Sequence, residues 1–220
     1  MSSESTVRSI RSGDLALIET LRWEPREGFL RLDRHIRRLR HSAHALGFRQ
    51  PDNLLGAITY AVGGDVPLRV RLTATVHGEV DVTTTPFIEV SEGDVWRLRI
   101  APQRLACDNP FLRHKTTKRE VHDAARLHFR QDEADEVVLL NERGEVCEGS
   151  ITNLFVKDAD GILLTPALSC GLLPGILRAE LIREGKARSQ VLTVSDLSIG
   201  ELYVGNALRG LIPAKLLSTN

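Results

Sequence analysis

The sequence predicts an α+β chain of two subdomains, a small N-terminal one over residues 1–102 and a larger, β-rich one over residues 103–220. Three features carry that prediction. A well-bounded amphipathic helix sits among alternating strands in the first part. Short strands separated by turn residues dominate the second. The length of 220 residues also suffices for two small domains at roughly 100 residues each.

Residues 16–23, Ala-Leu-Ile-Glu-Thr-Leu-Arg-Trp, alternate well enough for a strand; residues 24–28 take the place of a hairpin turn and residues 29–32 return. Asp33 is the expected N-cap of a helix on which Ile36, Leu39, Ala43 and Leu46 recur at helical spacing, with Gly47 just past its end. Arg34, Arg37, Arg40, His41 and His44 lie on its other face. A weaker helix is expected from Pro51 to Ala61, closed by Gly63 and Gly64. Leu68, Val70, Leu72, Ala74 and Val76 then alternate with Arg69, Arg71, Thr73 and Thr75, the pattern of a half-buried strand. A turn at His77–Gly78 and strands near 80–84 and 96–101 complete the first subdomain.

Beyond a loop at 103–111, Thr117 and Glu120 have capping-box spacing for a helix running to Phe129. Val121, Ala124, Ala125, His128 and Phe129 are its expected inner face. Strands at 136–141, 145–148, 153–156 and 162–165 read as a β-meander. A short helix follows Pro174 over 175–184, and strands near 190–194, 201–204 and 211–216 end the chain.

Lysine plus arginine and aspartate plus glutamate each total 29, so no global field draws the chain to nucleic acid or to an anionic membrane. The basic helical face carrying Arg34, Arg37 and Arg40 is read as solvated, because aromatic residues for base stacking are only 5% of the chain. Three scattered cysteines without CxxC pairing fit a reducing compartment. A polar start and the absence of any ~20-residue apolar run lead to the expectation of a cytoplasmic protein that neither spans nor binds a membrane. The histidines lack ligand spacing, so no metal site is expected. No nucleophile elbow or Walker loop appears.

Four clusters carry chemistry. Lys115 stands at a loop-to-helix junction between Arg113 and Arg119, where neighbouring cations favour the free amine that forms imines. Glu148 ends a strand directly before Gly149-Ser150, which lets its carboxylate leave the sheet. Leu173-Pro174-Gly175-Ile176-Leu177-Arg178 opens a helix whose unpaired N–H groups suit a phosphate. Val204-Gly205-Asn206-Ala207-Leu208-Arg209-Gly210 is a small-residue turn able to supply further donors.

In this order, and together with Glu19-Thr20-Leu21-Arg22 and His35-Ile36-Arg37-Arg38-Leu39, these clusters resemble the fold-type IV pyridoxal-phosphate enzymes. That group contains branched-chain and D-amino-acid aminotransferases and 4-amino-4-deoxychorismate lyases, and the resemblance covers nearly the whole chain. It implies pyridoxal 5′-phosphate as cofactor, in a cleft between the subdomains of a homodimer. It implies that Lys115 forms the imine with the cofactor and later moves the proton, while Glu148 keeps the pyridine nitrogen protonated. Arg38 is implied as the arginine on the phosphate, with backbone N–H groups of Ile176 and Leu177 on one side and Asn206 and Ala207 on the other.

The chain departs from the pattern in places. Gly13-Asp14-Leu15-Ala16-Leu17-Ile18 stands where family members carry Gly-Asp-Gly-Val-Phe before the Glu-Thr pair, and Lys118 and Ala207 replace the Asn and Ser common in lyases. No tyrosine follows Lys115 closely. The His-Lys-Thr-Thr run with Arg119 is nearer the aminodeoxychorismate lyases, which release pyruvate and leave p-aminobenzoate; Arg69, Arg71 or Arg113 would meet the carboxylates of this small amino substrate. The alternatives are an aminotransferase of branched-chain or D-amino acids and an inactive relative serving as a binding protein.

Overall fold

The computed structural model describes residues 15–218, so Gly13 and Asp14 of the departing stretch lie outside the described residues. The chain is α+β and divides into two compact units: residues 15–87 with 116–118, and residues 88–115 with 119–218. The expected boundary at residue 102 instead falls inside a strand of the second unit, because residues 96–105 pair only within that unit's sheet.

The first unit is an antiparallel sheet of β1 (Ala16–Glu24), β2 (Gly28–Phe29), β3 (Leu68–Thr75) and β4 (Val80–Pro86), in the order β2-β1-β3-β4. Period-two alternation sets its register: Leu17, Glu19, Leu21 and Trp23 lie opposite Ala74, Leu72, Val70 and Leu68. Helices α1 (Leu32–Ala45) and α2 (Leu54–Tyr60) bring Leu39, Ala43, Leu54 and Ile58 into one core with Leu17, Leu72 and Ala74. Asp33 does not cap α1. The chain enters through Arg31, whose φ of 58° makes a sharp left-handed turn, and Asp33 falls in the first turn, where its charge complements the helix dipole. Thr116 bridges to Leu17, and Thr117 pairs with Ala16 through its N–H and its hydroxyl, each at 2.9 Å.

The second unit is an eight-stranded sheet of β5 (Trp96–Leu105), β6 (Glu136–Asn141), β7 (Val146–Gly149), β8 (Asn153–Lys157), β9 (Leu163–Pro166), β10 (Ala187–Gln190), β11 (Glu201–Asn206) and β12 (Gly210–Leu216). The order β10-β9-β8-β11-β12-β5-β6-β7 corrects the meander. The β6–β7 and β8–β9 hairpins form, but β11, β12 and β5 stand between them. The strand expected near 190–194 lies earlier: β10 spans 187–190, and Asp196 accepts from the N–H and hydroxyl of Thr193 in the turn that follows.

Helix α3 (Glu120–Leu127) begins after Arg119 without a side-chain cap, since the hydroxyl of Thr117 is committed to Ala16. Its buried positions are accordingly His122 and Ala125; Val121, Ala124 and His128 are exposed. Ala125 packs with Ala101, Leu105, Val137 and Leu139. Helix α4 (Ile176–Arg183) packs Leu177 and Leu181 against Phe155, Leu163 and Ala187.

Candidate active site

In the second unit the expected residues gather around Glu148. It lies on β7 opposite Leu139 and is 6% exposed. Its Oε1 is 2.9 Å from His122 Nε2 on α3, and its Oε2 accepts from the backbone N–H of Leu173 at 3.1 Å. An ionised carboxylate only accepts, so the imidazole nitrogen is the donor, and lone pairs remain for a third N–H. Two donors on a carboxylate in a dry site fix its orientation.

Leu173 leads straight to α4. Its carbonyl accepts from Asn153 Nδ2 at 3.1 Å and from Gly175 N at 2.8 Å, and Gly175 is the N-cap. A Cβ on Gly175 would overlap Asn153 Oδ1, so only glycine lets β8 and the helix start approach this closely. The N–H groups of Ile176 and Leu177 open the helix, where no intrahelical acceptor exists and the dipole favours an anion.

The turn after β11 lies alongside. Gly205 pairs with Asn153, and a Cβ on it would come within 3.0 Å of Leu177 Cδ2. Asn206 Oδ1 accepts from the N–H groups of Leu208 and Arg209 at 3.1 and 3.0 Å, while its Nδ2 donates to Ile151 O at 3.2 Å. The Asn206 side chain therefore builds the turn, and what Asn206 and Ala207 offer a ligand is backbone.

Lys115 is half-buried, between two pinned arginines. Arg113 Nη1 donates to Leu172 O at 3.3 Å, and Arg119 Nη2 donates to Ser150 O at 2.5 Å. Both acceptors adjoin Glu148 or its Leu173 partner, so the segment carrying Lys115 is fastened on either side to the loops around that carboxylate.

Sequence reasoning missed the residue that shapes one of these loops. Glu136, 1% exposed on β6, accepts from Ser150 N (3.0 Å), Ser150 Oγ (2.6 Å), Ile151 N (3.1 Å) and Thr152 Oγ1 (3.0 Å). It thereby fixes the turn whose carbonyls hold Arg119 and Asn206. His122 was missed as well; in the sequence nothing sets it apart from the polar residues Glu120 and Asp123 beside it.

In the first unit Arg38 is held by Glu19. Arg38 Nε donates to Glu19 Oε1 at 2.8 Å and Nη2 to Oε2 at 2.6 Å, and His35 Nδ1 lies 2.7 Å from Oε2. Burial alone would push the Glu19 carboxyl up; the charges and hydrogen bonds of Arg38 and His35 outweigh it and bring the pKa down to about 2. Arg69 is exposed and Arg71 half-buried on the face of β3 that turns away from the apolar core, across from Arg22 and Thr20. Among the described residues no group of three or more His, Cys, Asp and Glu can hold a metal, and no helix is long and apolar enough to cross a membrane.

The family model described as amino-transferase class IV matches residues 16–217. The chain belongs to this class IV aminotransferase family. A Schizosaccharomyces pombe protein named "Putative aminodeoxychorismate lyase" is 30% identical over 178 residues, 77% of this chain and 76% of that protein. A Thermotoga maritima protein named "Probable branched-chain-amino-acid aminotransferase" is 34% identical over 89 residues, 38% of this chain and 32% of its own length. A crystal structure from Mesorhizobium loti titled "Putative amino-acid aminotransferase" superposes with a TM-score of 0.91 at 46% identity, covering 93% of this chain and all of that one. Class IV members are pyridoxal-phosphate-dependent aminotransferases and lyases, and this chain is such an enzyme. Its donor set suits that cofactor: a half-buried amine, a dry carboxylate held by two N–H donors, and a helix start kept open by Gly175.

Proposed function

We propose that this class IV enzyme holds pyridoxal 5′-phosphate and acts as a 4-amino-4-deoxychorismate lyase, eliminating pyruvate to leave p-aminobenzoate. The observation that carries the cofactor reading is the buried Glu148 carboxylate, bonded to Leu173 N three residues before the open start of α4. When bound, the cofactor supplies an electron sink for charge developing at the substrate carbon that bears the amine. Glu148 would keep the proton on the cofactor's pyridine nitrogen, and His122 orients Glu148. Lys115 would hold the cofactor at its aldehyde and would move the proton of the substrate carbon. In the second unit the N–H groups of Ile176 and Leu177, with Asn206 and Ala207, would hold the phosphate. Arg69, Arg71 or Arg113 takes the substrate carboxylates.

The lyase assignment draws on the S. pombe relative, which matches 77% of this chain. Transamination of an amino acid with a 2-oxo acid acceptor is the second reading, favoured by the 46% identity to the M. loti protein. An assay offering both substrate types separates them. Pyruvate released from aminodeoxychorismate without any acceptor supports the lyase; turnover only when a 2-oxo acid is supplied assigns the aminotransferase. A protein that takes up no cofactor contradicts both. A cytoplasmic homodimer is the expected form, and sedimentation at twice the chain mass of 24.4 kDa is its check.

A further inference from the structure

Where α4 meets the edge strands of the second unit's sheet, two buried polar atoms have no protein partner among the described residues, and neither has a part in the proposed chemistry. They are Arg178 Nε and Thr165 Oγ1, on residues that are 4% and 0% exposed. Arg178 stands in the first turn of α4 and Thr165 on β9. Leu163 and Ala187 pack against Leu177 and Leu181 of α4. A strand returns to the same face every second residue, so Thr165 and its register partner on β10, Ser189, also turn toward α4. Arg178 reaches across to them: its Nη2 donates to Pro166 O at 2.8 Å and to Ser189 Oγ at 3.1 Å.

Those two bonds use both hydrogens of Nη2. The Nε–H lies parallel to one of them along the edge of the planar guanidinium, so the acceptor it calls for stands beside Pro166 O or Ser189 Oγ, next to Thr165. The Ser189 hydroxyl accepts from Arg178 and still has its own hydrogen to give. The corner is thus rich in donors, and it is charged. Buried cations are ordinarily paired with an anion, yet both bonds of Arg178 go to neutral oxygens, and among the described residues no carboxylate forms an ion pair with it. Burial, and after it the charge of Arg113, push the Arg178 pKa below the usual arginine value, while Glu148 acts the other way.

We infer that Arg178, Thr165 and Ser189 form a binding site for one small monovalent anion of the size of chloride, which secures the first turn of α4 to β9 and β10. A water molecule would satisfy the same hydrogens but leave the buried charge uncompensated; an anion does both. The complete burial of Thr165 favours a monatomic ion over a bulky oxyanion, and the exposed Ser189 gives that ion a way in. The site stands or falls independently of the cofactor reading.

Chloride is the probe. Thermal unfolding of the full-length protein in phosphate-free buffer is followed as chloride replaces gluconate at constant ionic strength, so that general screening stays fixed. The wild-type midpoint is expected to rise by about 3–5 °C once chloride reaches about ten times its dissociation constant. Thr165→Ser, which keeps the hydroxyl, retains the rise. Thr165→Val, which matches threonine in shape, loses most of it and is no less stable than wild type in gluconate. A wild type indifferent to chloride, or a rise that Thr165→Val leaves intact, overturns the inference. Wild-type crystals grown in bromide give a second reading that needs no variant. An anomalous peak in contact with both Arg178 Nε and Thr165 Oγ1 is expected; a bridging water in its place, or no peak there, overturns the inference as well.

Discussion

Acid is expected to weaken the first unit through Glu19, by an amount that follows from its surroundings. Its carboxyl titrates at about 2 in the folded chain against an ordinary 4.5: burial opposes the charge, and Arg38 and His35 more than offset that opposition. A carboxyl depressed by folding adds stability above its unfolded pKa, and that stability is lost as pH falls through the interval between about 4.5 and about 2. At roughly 1.4 kcal/mol per unit, the interval corresponds to ~3 kcal/mol. The perturbation is Glu19→Gln. At neutral pH it leaves the guanidinium of Arg38 without its carboxylate, a loss of about 3 kcal/mol or more. Urea unfolding of wild type and variant between about pH 6 and about pH 2.5 measures the difference. The gap is expected to be widest at the upper end and to lose most of that ~3 kcal/mol as pH falls; other carboxylates, such as the half-buried Glu145, titrate alike in both proteins and cancel. Parallel curves, with the gap unchanged down to the acid end, would refute the assignment of a depressed carboxyl held by Arg38.

Gly175→Ala drives a methyl into Asn153 Oδ1, and expelling that amide breaks its bond to Leu173 O; a loss of about 1–3 kcal/mol is expected, with Asn153→Ala in the same chain restoring part of it in chemical unfolding. Gly205→Ala is expected to be harsher, because its Cβ meets the backbone carbonyl of Gly210 at 2.6 Å, which has no such escape. Glu136→Gln turns an amide toward a ring of donors from Ser150, Ile151 and Thr152. A stability loss of at least ~2 kcal/mol and heightened hydrogen exchange at residues 150–152 are the expected signs. His122→Leu leaves Glu148 with the Leu173 N–H alone, so cofactor affinity is expected to fall about tenfold, whereas His122→Gln, which can still donate, retains most of it.

Local pattern located the strands and helices well where one period dominated. The strand over 136–141 and the apolar face of α1 follow directly from alternation and helical spacing. Assigning strands to sheets was another matter. Residues 96–105 alternate in the same way whichever sheet they join, so nothing local told that β5 pairs with β12 and β6 and moves the boundary from 102 to 87. Capping went astray for a similar reason. Thr117 has the spacing of a capping box, but an edge of β1 competes for its hydroxyl and wins, which starts α3 later and turns His122 inward.

The site was legible where a residue type speaks for itself. Glu148 before Gly149, the glycine at the head of α4 and the Asn206 turn stand out by residue type, and in the structure Glu148 accepts from Leu173 N and Asn206 donates to Ile151 O. Their supports were not legible. Glu19 meets Arg38 across 19 residues and Glu136 meets Ser150 across 14; such pairings arise from tertiary packing and have no short-range signature. His122 reads as one more polar residue of a surface helix until the helix phase is known.

The most direct measurement is chemical. Reduction of the cofactor-loaded protein with borohydride, followed by peptide mass analysis, places any covalent adduct on one of five lysines, at 115, 118, 157, 186 and 215. A stable adduct on Lys115, lost in Lys115→Ala, is the expected result. An adduct on Lys118 or any other lysine in wild type, or a protein that gains no adduct at all, would contradict it.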